Sequence, residues 1–289
     1  MSTSSKARPR IPILSGISAL SGDADAWIVD IWGVMHNGVA AFPGAVEACR
    51  RFRAGGGSVL LLSNAPRPFP DVVRQLRALG VPDDAYDGGV TSGDVTRGLI
   101  AAVPGRAFLH IGPDRDKGLL EGLDVRVVRA RDAEAILCSG LWDDTRETPE
   151  DYDELFTPLI GRGLPMICAN PDLKVERGDR LVYCAGALAA RYAALGGAVA
   201  YAGKPYAPAY ERAFAEIARL RGAPVPVSAM LAIGDGVETD IRGGCEAGLR
   251  TVMIASAVHL QDGLSEATLA ALFAPRAFAP IAALNALAW

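Results

Sequence analysis

Short apolar runs that stop abruptly at a polar residue are the feature that most restricts this chain. In AWIVDIWG the run ends at Asp30, in SVLLLSNA at Ser63 and Asn64, and in AMLAIGDG at Asp235. Runs of this length without polar alternation suit strands buried on both faces, and a carboxylate followed by a glycine turn places chemistry at the strand's carboxyl end. Helical patterns separate them. One helix is expected over 44–54 and another from Phe69 or Pro70, where proline suits a first turn. The β-α-β-α rhythm continues through AFLHIG, VRVVRA, AEAILCSG, a helix over 152–160, PMICAN, a helix over 181–194, AVAYAGKP and RTVMIA. It predicts an α/β fold built on a doubly wound, mostly parallel sheet.

Two partitions fit 289 residues: one continuous α/β domain, or a core made from both chain ends with an inserted α/β cap domain. The second is favoured, because the carboxylate-rich strand ends lie in the two end segments while the middle carries an α/β pattern of its own. The first core segment is expected over 1–88, the inserted cap over 89–187 and the second core segment over 188–289, with Gly88-Gly89 as the entrance hinge.

Composition removes several function classes. Twenty-nine Lys and Arg against 33 Asp and Glu give a net charge of -4 with no long basic block, so a nucleic-acid track is not expected. Five cysteines without a CxxC pair point to reduced thiols, with Cys138, Cys168 and Cys184 set in apolar surroundings as inert interior groups. Pro9 and Pro12 interrupt the basic beginning, the run at 59–62 is too short to cross a bilayer, and Pro275 and Pro280 break the Ala/Leu-rich end. A cytoplasmic protein without a membrane partner is the expectation.

The strand ends carry the chemistry. Asp30 suits a nucleophile or a ligand of a divalent cation, and Asp235 with Asp240 five residues on forms a second carboxylate cluster. Parallel strands bring such termini to one sheet edge. All-oxygen ligands favour Mg²⁺ over zinc, and His36, His110 and His259 form no compact zinc pattern. Ser63 and Asn64 can hold a phosphate, and Lys204 in YAGKPY can neutralise one. Each alone reads as readily as a turn residue or a surface lysine, but four strand-end signals converge on one anionic site.

The segments DIWGVMHNGVAAFPGA, LLLSNAPRP, YAGKPYAPAYERA and IGDGVETDIRGGCEAGLRTVMI resemble the four ordered motifs of the haloacid-dehalogenase-like superfamily. Their spacing is similar to that of its NagD-like class IIA branch, with an α/β cap between the second and third motifs, across roughly residues 25–258. The resemblance implies hydrolysis of a small phosphorylated metabolite with Mg²⁺ through an aspartyl-phosphate. Matching positions make Asp30 nucleophile and metal ligand, Ser63 a phosphate binder, Lys204 a stabiliser, Asp235 a metal ligand, and Asp240 a support of the metal and its waters, with Asn64 kept as a substrate binder from its strand-end position. Trp32 offers its backbone carbonyl to the metal. The cap-side ICANPDLKVERG adds Asn170 and Asp172 as substrate-recognising or cap-orienting residues, while HIGPDRDKG reads as a solvated cap loop. The resemblance also permits a homodimer through cap contacts.

One position departs from the pattern. Phosphatases of this superfamily carry Asp two residues after the nucleophile as acid and base; here Trp32 stands, and indole cannot transfer that proton. His36 is the candidate substitute. The departure keeps two alternatives open: a hydrolase using Asp30 on an activated carbon or a phosphonate, and a catalytically weak ligand-binding relative.

Overall fold

The computed structural model describes residues 10–177, 180–255 and 263–289, so residues 1–9 and His259 lie outside the described residues. One helical turn, α1 (Ser18–Ser21), precedes β1 (Ala26–Val29), α2 (Pro43–Ala54), β2 (Ser58–Ser63), α3 (Phe69–Leu79), β3 (Gly88–Thr91) and α4 (Ser92–Ala101). Next come β4 (Ala107–Ile111), β5 (Arg126–Val127), β6 (Ala135–Cys138), α5 (Asp153–Gly161), β7 (Met166–Cys168), β8 (Lys174–Arg177), β9 (Arg180–Tyr183), α6 (Ala185–Ala194) and β10 (Val199–Tyr201). The chain closes with α7 (Ala207–Arg221), β11 (Met230–Gly234), α8 (Arg242–Glu246), β12 (Arg250–Ile254), α9 (Glu266–Phe273) and β13 (Ala282–Leu284). Prolines open α2, α3 and α7, where a missing N–H leaves no bond unmade. At α4 the Thr91 hydroxyl accepts the Asp94 N–H while the Asp94 carboxylate accepts that of Thr91, fixing where the helix starts.

Six strands form a parallel sheet in the order β13-β12-β11-β1-β2-β3. The chain leaves β1 outward through β2 and β3, then returns on the other side through β11, β12 and β13. Strand order therefore reverses between β1 and β11, the place where open α/β sheets form a crevice at their carboxyl ends. Ala26 to Val29 pair in register with Met230 to Ile233, and the Asp30 N–H donates to the Ile233 carbonyl at 2.8 Å. Asp30 and Asp235 thus leave the sheet side by side, with Ser63 one strand over.

Alternate residues of β1 feed two cores. Trp27 and Val29 pack with Phe52, Val59 and Leu61 under α2, while Ile28 packs with Leu60, Leu62 and Ile217 under α7. Trp27 stacks on Phe52 with ring centroids 4.0 Å apart, bracing the strand that carries Asp30. Burial on both faces is why the run shows no polar alternation.

A second parallel sheet, in the order β10-β7-β6-β4-β5, has its own core of Ile111, Ile136, Phe156, Met166, Leu188 and Tyr192. This is the inserted cap. Residue 89 lies within β3 of the first sheet, and residue 187 lies within α6, which packs in the second sheet's core. AVAYAGKP supplies β10, which pairs with β7 in the second sheet. The helix expected over 181–194 begins only at Ala185, because Leu181 to Tyr183 pair antiparallel with β8 as a hairpin. Among the described residues no helix is long and apolar enough to cross a membrane. None of the five cysteines is in a disulfide, and burial pushes the Cys49 and Cys138 thiols up to about 12, which makes them inert at neutral pH.

Candidate active site

Lys204 joins the two ends of the chain. The residue is 3% exposed, and Nζ donates to Asp30 Oδ1 at 2.6 Å, to Asp240 Oδ1 at 2.7 Å and to the Leu62 carbonyl at 2.9 Å. Those bonds use all three ammonium protons. Burial alone would lower the lysine, but Asp240 and Asp30 outweigh it and hold the ammonium above its ordinary value. Asp30 is 8% exposed; burial first and the Asp240 charge second push its carboxyl well above the usual range, with Lys204 opposing both.

Asp240 comes from a wide turn after β11, in which the Asp240 and Ile241 N–H groups both donate to the Gly236 carbonyl. Its Oδ2 accepts from the Gly236 N–H at 3.1 Å and the Thr239 hydroxyl at 3.3 Å, so both carboxylate oxygens are engaged. Asp30, Asp235 and Asp240 nonetheless each bring a carboxylate oxygen within 4.8 Å of the others. Gly33 has φ 81°, and a Cβ there would overlap the Asp235 carboxylate, so only glycine lets the Asp30 loop approach this closely. The all-oxygen donor set and this glycine cradle fit a hard cation such as Mg²⁺. Asp30, Asp235 and the Trp32 carbonyl, to which no N–H donates among the described residues, are the groups suited to hold it. Asp240, committed to Lys204 and Gly236, is suited to orient the surrounding shell.

Ser63 ends β2, its hydroxyl accepting the Ala65 N–H at 3.2 Å. Asn64 does something its sequence context did not reveal. Its Oδ1 accepts the Lys204 N–H at 2.8 Å, and its Nδ2 donates to the Lys204 carbonyl at 3.2 Å and to Asp172 Oδ1 at 2.8 Å. The expected substrate binder thus clamps the backbone of Lys204 and reaches the cap, where Asp172 follows β7. Asn170 Oδ1 accepts the Asp172 N–H at 3.0 Å, a local turn that presents the Asp172 carboxylate to the core.

Trp32 is 43% exposed, its indole lying over Gly38 and edge-on to the His36 ring at 5.3 Å. His36 is 2% exposed, its Nδ1 accepts the Gly38 N–H at 3.0 Å, and burial lowers its pKa. A buried neutral imidazole with its acceptor nitrogen occupied shapes the loop. The loop expected to be solvated at HIGPDRDKG is partly interior instead: His110 Nε2 meets Ser139 Oγ at 2.9 Å, and Ser139 also bonds the buried Asp116 carboxylate. No spacing rule joins β4 to the end of β6, so Ser139 carried no signal in the sequence.

Residues 27–126 match the family model for haloacid dehalogenase-like hydrolase, and residues 201–279 match one described as HAD-hydrolase-like. A haloacid dehalogenase-like family hydrolase from Brucella suis 1330 is 46% identical with a TM-score of 0.84, covering 95% of this chain and 99% of that one. The D-glycerol 3-phosphate phosphatase of Mycobacterium tuberculosis is 27% identical over 253 residues, covering 84% of this chain; the chain spans 66% of that relative's length. NagD from E. coli K-12 shares the fold, with a TM-score of 0.66 at 22% identity, over 91% of this chain and 96% of that one.

Proposed function

Because this chain belongs to the haloacid dehalogenase-like hydrolase family, in its NagD-like branch with an inserted cap, we propose that it is a Mg²⁺-dependent phosphatase of small phosphorylated metabolites. The observation that carries this is the buried Lys204 ammonium bridging Asp30 and Asp240 beside Asp235. A phosphate dianion needs positive charge near its oxygens and a carboxylate free to approach phosphorus, and the Lys204 ammonium beside Asp30 supports that reading. The alternative of attack on carbon needs no such cluster of cation-binding carboxylates.

Asp30 Oδ attacks phosphorus and the bond to the leaving oxygen breaks, giving an aspartyl-phosphate on Asp30. Lys204 favours the ionised form of Asp30 against burial and holds it in place, and its charge offsets the negative charge that grows on the phosphoryl oxygens. The Ser63 hydroxyl and nearby backbone N–H groups position the phosphate. Mg²⁺, held by Asp30, Asp235 and the Trp32 carbonyl, would supply charge neutralisation. The cap limits water until the leaving alcohol departs, and water then cleaves the Asp30–phosphate bond. The name of the Mycobacterium tuberculosis relative favours a small polyol phosphate as substrate.

A panel of small phosphomonoesters and phosphonates, run with Mg²⁺ and with an EDTA control, tests the proposal. Phosphate release that requires Mg²⁺ and disappears in Asp30→Asn is expected. Turnover at the wild-type rate in Asp30→Asn, or rapid release in EDTA, would refute it.

A further inference from the structure

In-line displacement puts the leaving oxygen on the side of phosphorus opposite the Asp30 oxygen. Asp30 rises from the first sheet, so the leaving group points toward the cap. At Trp32 there is only an indole, and the buried His36 accepts the Gly38 N–H on Nδ1, so its ring is neutral and its remaining Nε2–H is too weak an acid to protonate a leaving oxygen. Tyr210 is electrostatically coupled to Asp240, Lys204 and Asp30, but its phenol is raised far above neutral and sits against the Thr239 and Asp240 carbonyls. Asp116 is tied to Ser139 and to Arg115 and Arg67, not to the Lys204 cluster.

Asp172 remains. Its Oδ1 accepts from Asn64 Nδ2 at 2.8 Å, and Asn64 adjoins Ser63 and holds Lys204. Its Oδ2 has no hydrogen bond among the described residues. The groups that act on it electrostatically are Lys204 and Asp240, both members of the cluster around Asp30. Packing fixes its place: a Cβ on Gly203 would meet Ser92 Oγ, Asn64 Oδ1 and Pro171 Cδ, so the end of β7 is pressed onto the end of β2. Burial raises the Asp172 carboxyl above its ordinary value, with the Asn64 bond and Lys204 opposing, which favours the protonated form that can donate.

Resting on the phosphatase reading above, we infer that Asp172 is the general acid and base of this chain, supplied by the cap in place of the carboxylate missing at Trp32. As the P–O bond to the leaving group breaks, the proton of the Asp172 carboxyl passes to the departing oxygen and yields the alcohol. In the second step the Asp172 carboxylate takes a proton from the attacking water while the Asp30–phosphate bond breaks. Inorganic phosphate leaves and Asp172 is protonated again, so the net reaction is ester plus water to alcohol plus phosphate.

Asp172→Asn separates this role from a purely structural one, because the new side-chain oxygen still accepts the Asn64 bond but carries no transferable proton. The readout is the ratio of kcat/KM on an alkyl phosphate, glycerol 3-phosphate, to that on p-nitrophenyl phosphate, whose leaving group departs without protonation. With Mg²⁺ present, Asp172→Asn is expected to lower the alkyl value by roughly 10²–10⁴-fold and the aryl value by less than about tenfold. Asp172→Ala, which also cuts the Asn64 contact, is expected to lower both. Both esters are assayed on one preparation, so a reduced folded fraction cancels in the ratio. An unchanged ratio in Asp172→Asn would overturn the inference while wild-type turnover upholds the phosphatase. Wild-type inactivity on both esters would overturn the phosphatase reading and this role with it.

Discussion

Gly33→Ala probes how the clustered carboxylates of Asp30 and Asp235 are spaced, and with them the proposed metal site. Alanine at φ 81° costs about 1–2 kcal/mol of backbone strain. Its Cβ would lie 2.8 Å from Asp235 Cγ, whereas ordinary contact begins at 3.4 Å, so the carboxylate must move by at least about 0.6 Å. Catalytic groups need placement within about 0.5 Å, and displacements near 1 Å cost about a hundredfold. A loss of roughly 10- to 100-fold in kcat/KM with weaker Mg²⁺ dependence on titration is therefore expected. Gly56→Ala is the matched control: φ is 91°, but nothing lies within 4 Å of the added Cβ. Both variants should lose roughly 2–8 °C in Tm, at about 2–4 °C per kcal/mol for a domain of this size. Only Gly33→Ala should change the Mg²⁺ titration, followed by calorimetry and by initial rates. If the two variants match in Mg²⁺ affinity and turnover, the close approach to Asp235 has no bearing on the metal.

Further outcomes follow from the same geometry. Lys204→Met leaves Asp30 and Asp240 without their shared counter-charge and should lower kcat by at least about 10²–10³-fold, read from steady-state kinetics on folded protein. Asn64→Ala orphans the buried Lys204 N–H and should cost about 1–3 kcal/mol in urea unfolding, together with activity. Trp32→Asp places a carboxyl beside Asp30 at a half-exposed position; turnover of alkyl phosphates should rise, and it should rescue Asp172→Asn on the alkyl ester. A thiol reagent applied to native protein should modify Cys245 first, because the other four cysteines are buried; equal labelling rates for all five would contradict the packing.

Much of the site can be read from the sequence, because a carboxylate closing an apolar run marks a strand end without knowledge of the strand's neighbours. Asp30 and Asp235 are legible for that reason, and the parallel arrangement then forces them together. Partner choice is not legible. AVAYAGKP is a short apolar strand like the others, and only packing decides that it joins β7. LVYCAGALAARYAAL reads as one helix because Leu181 and Val182 continue its apolar pattern, yet the hairpin with β8 claims them. A Ser-Asn turn suggests phosphate at Asn64 but gives no sign of its bonds to residues 108 and 140 positions away, which lie beyond any local rule.

The pairing of β1 with β11 has a kinetic side. Ala26 meets Met230 across about 200 residues of intervening chain, and contacts of such separation are slow to form because loop closure must precede any reward. The five-stranded sheet is assembled from residues 107–201 alone and can form within that gap, drawing its two ends together before the outer strands dock. During synthesis Asp30 is made early but gains Lys204, Asp235 and Asp240 only when the last third of the chain arrives. A truncated product therefore has Asp30 without the lysine and the two carboxylates that surround it in the finished fold.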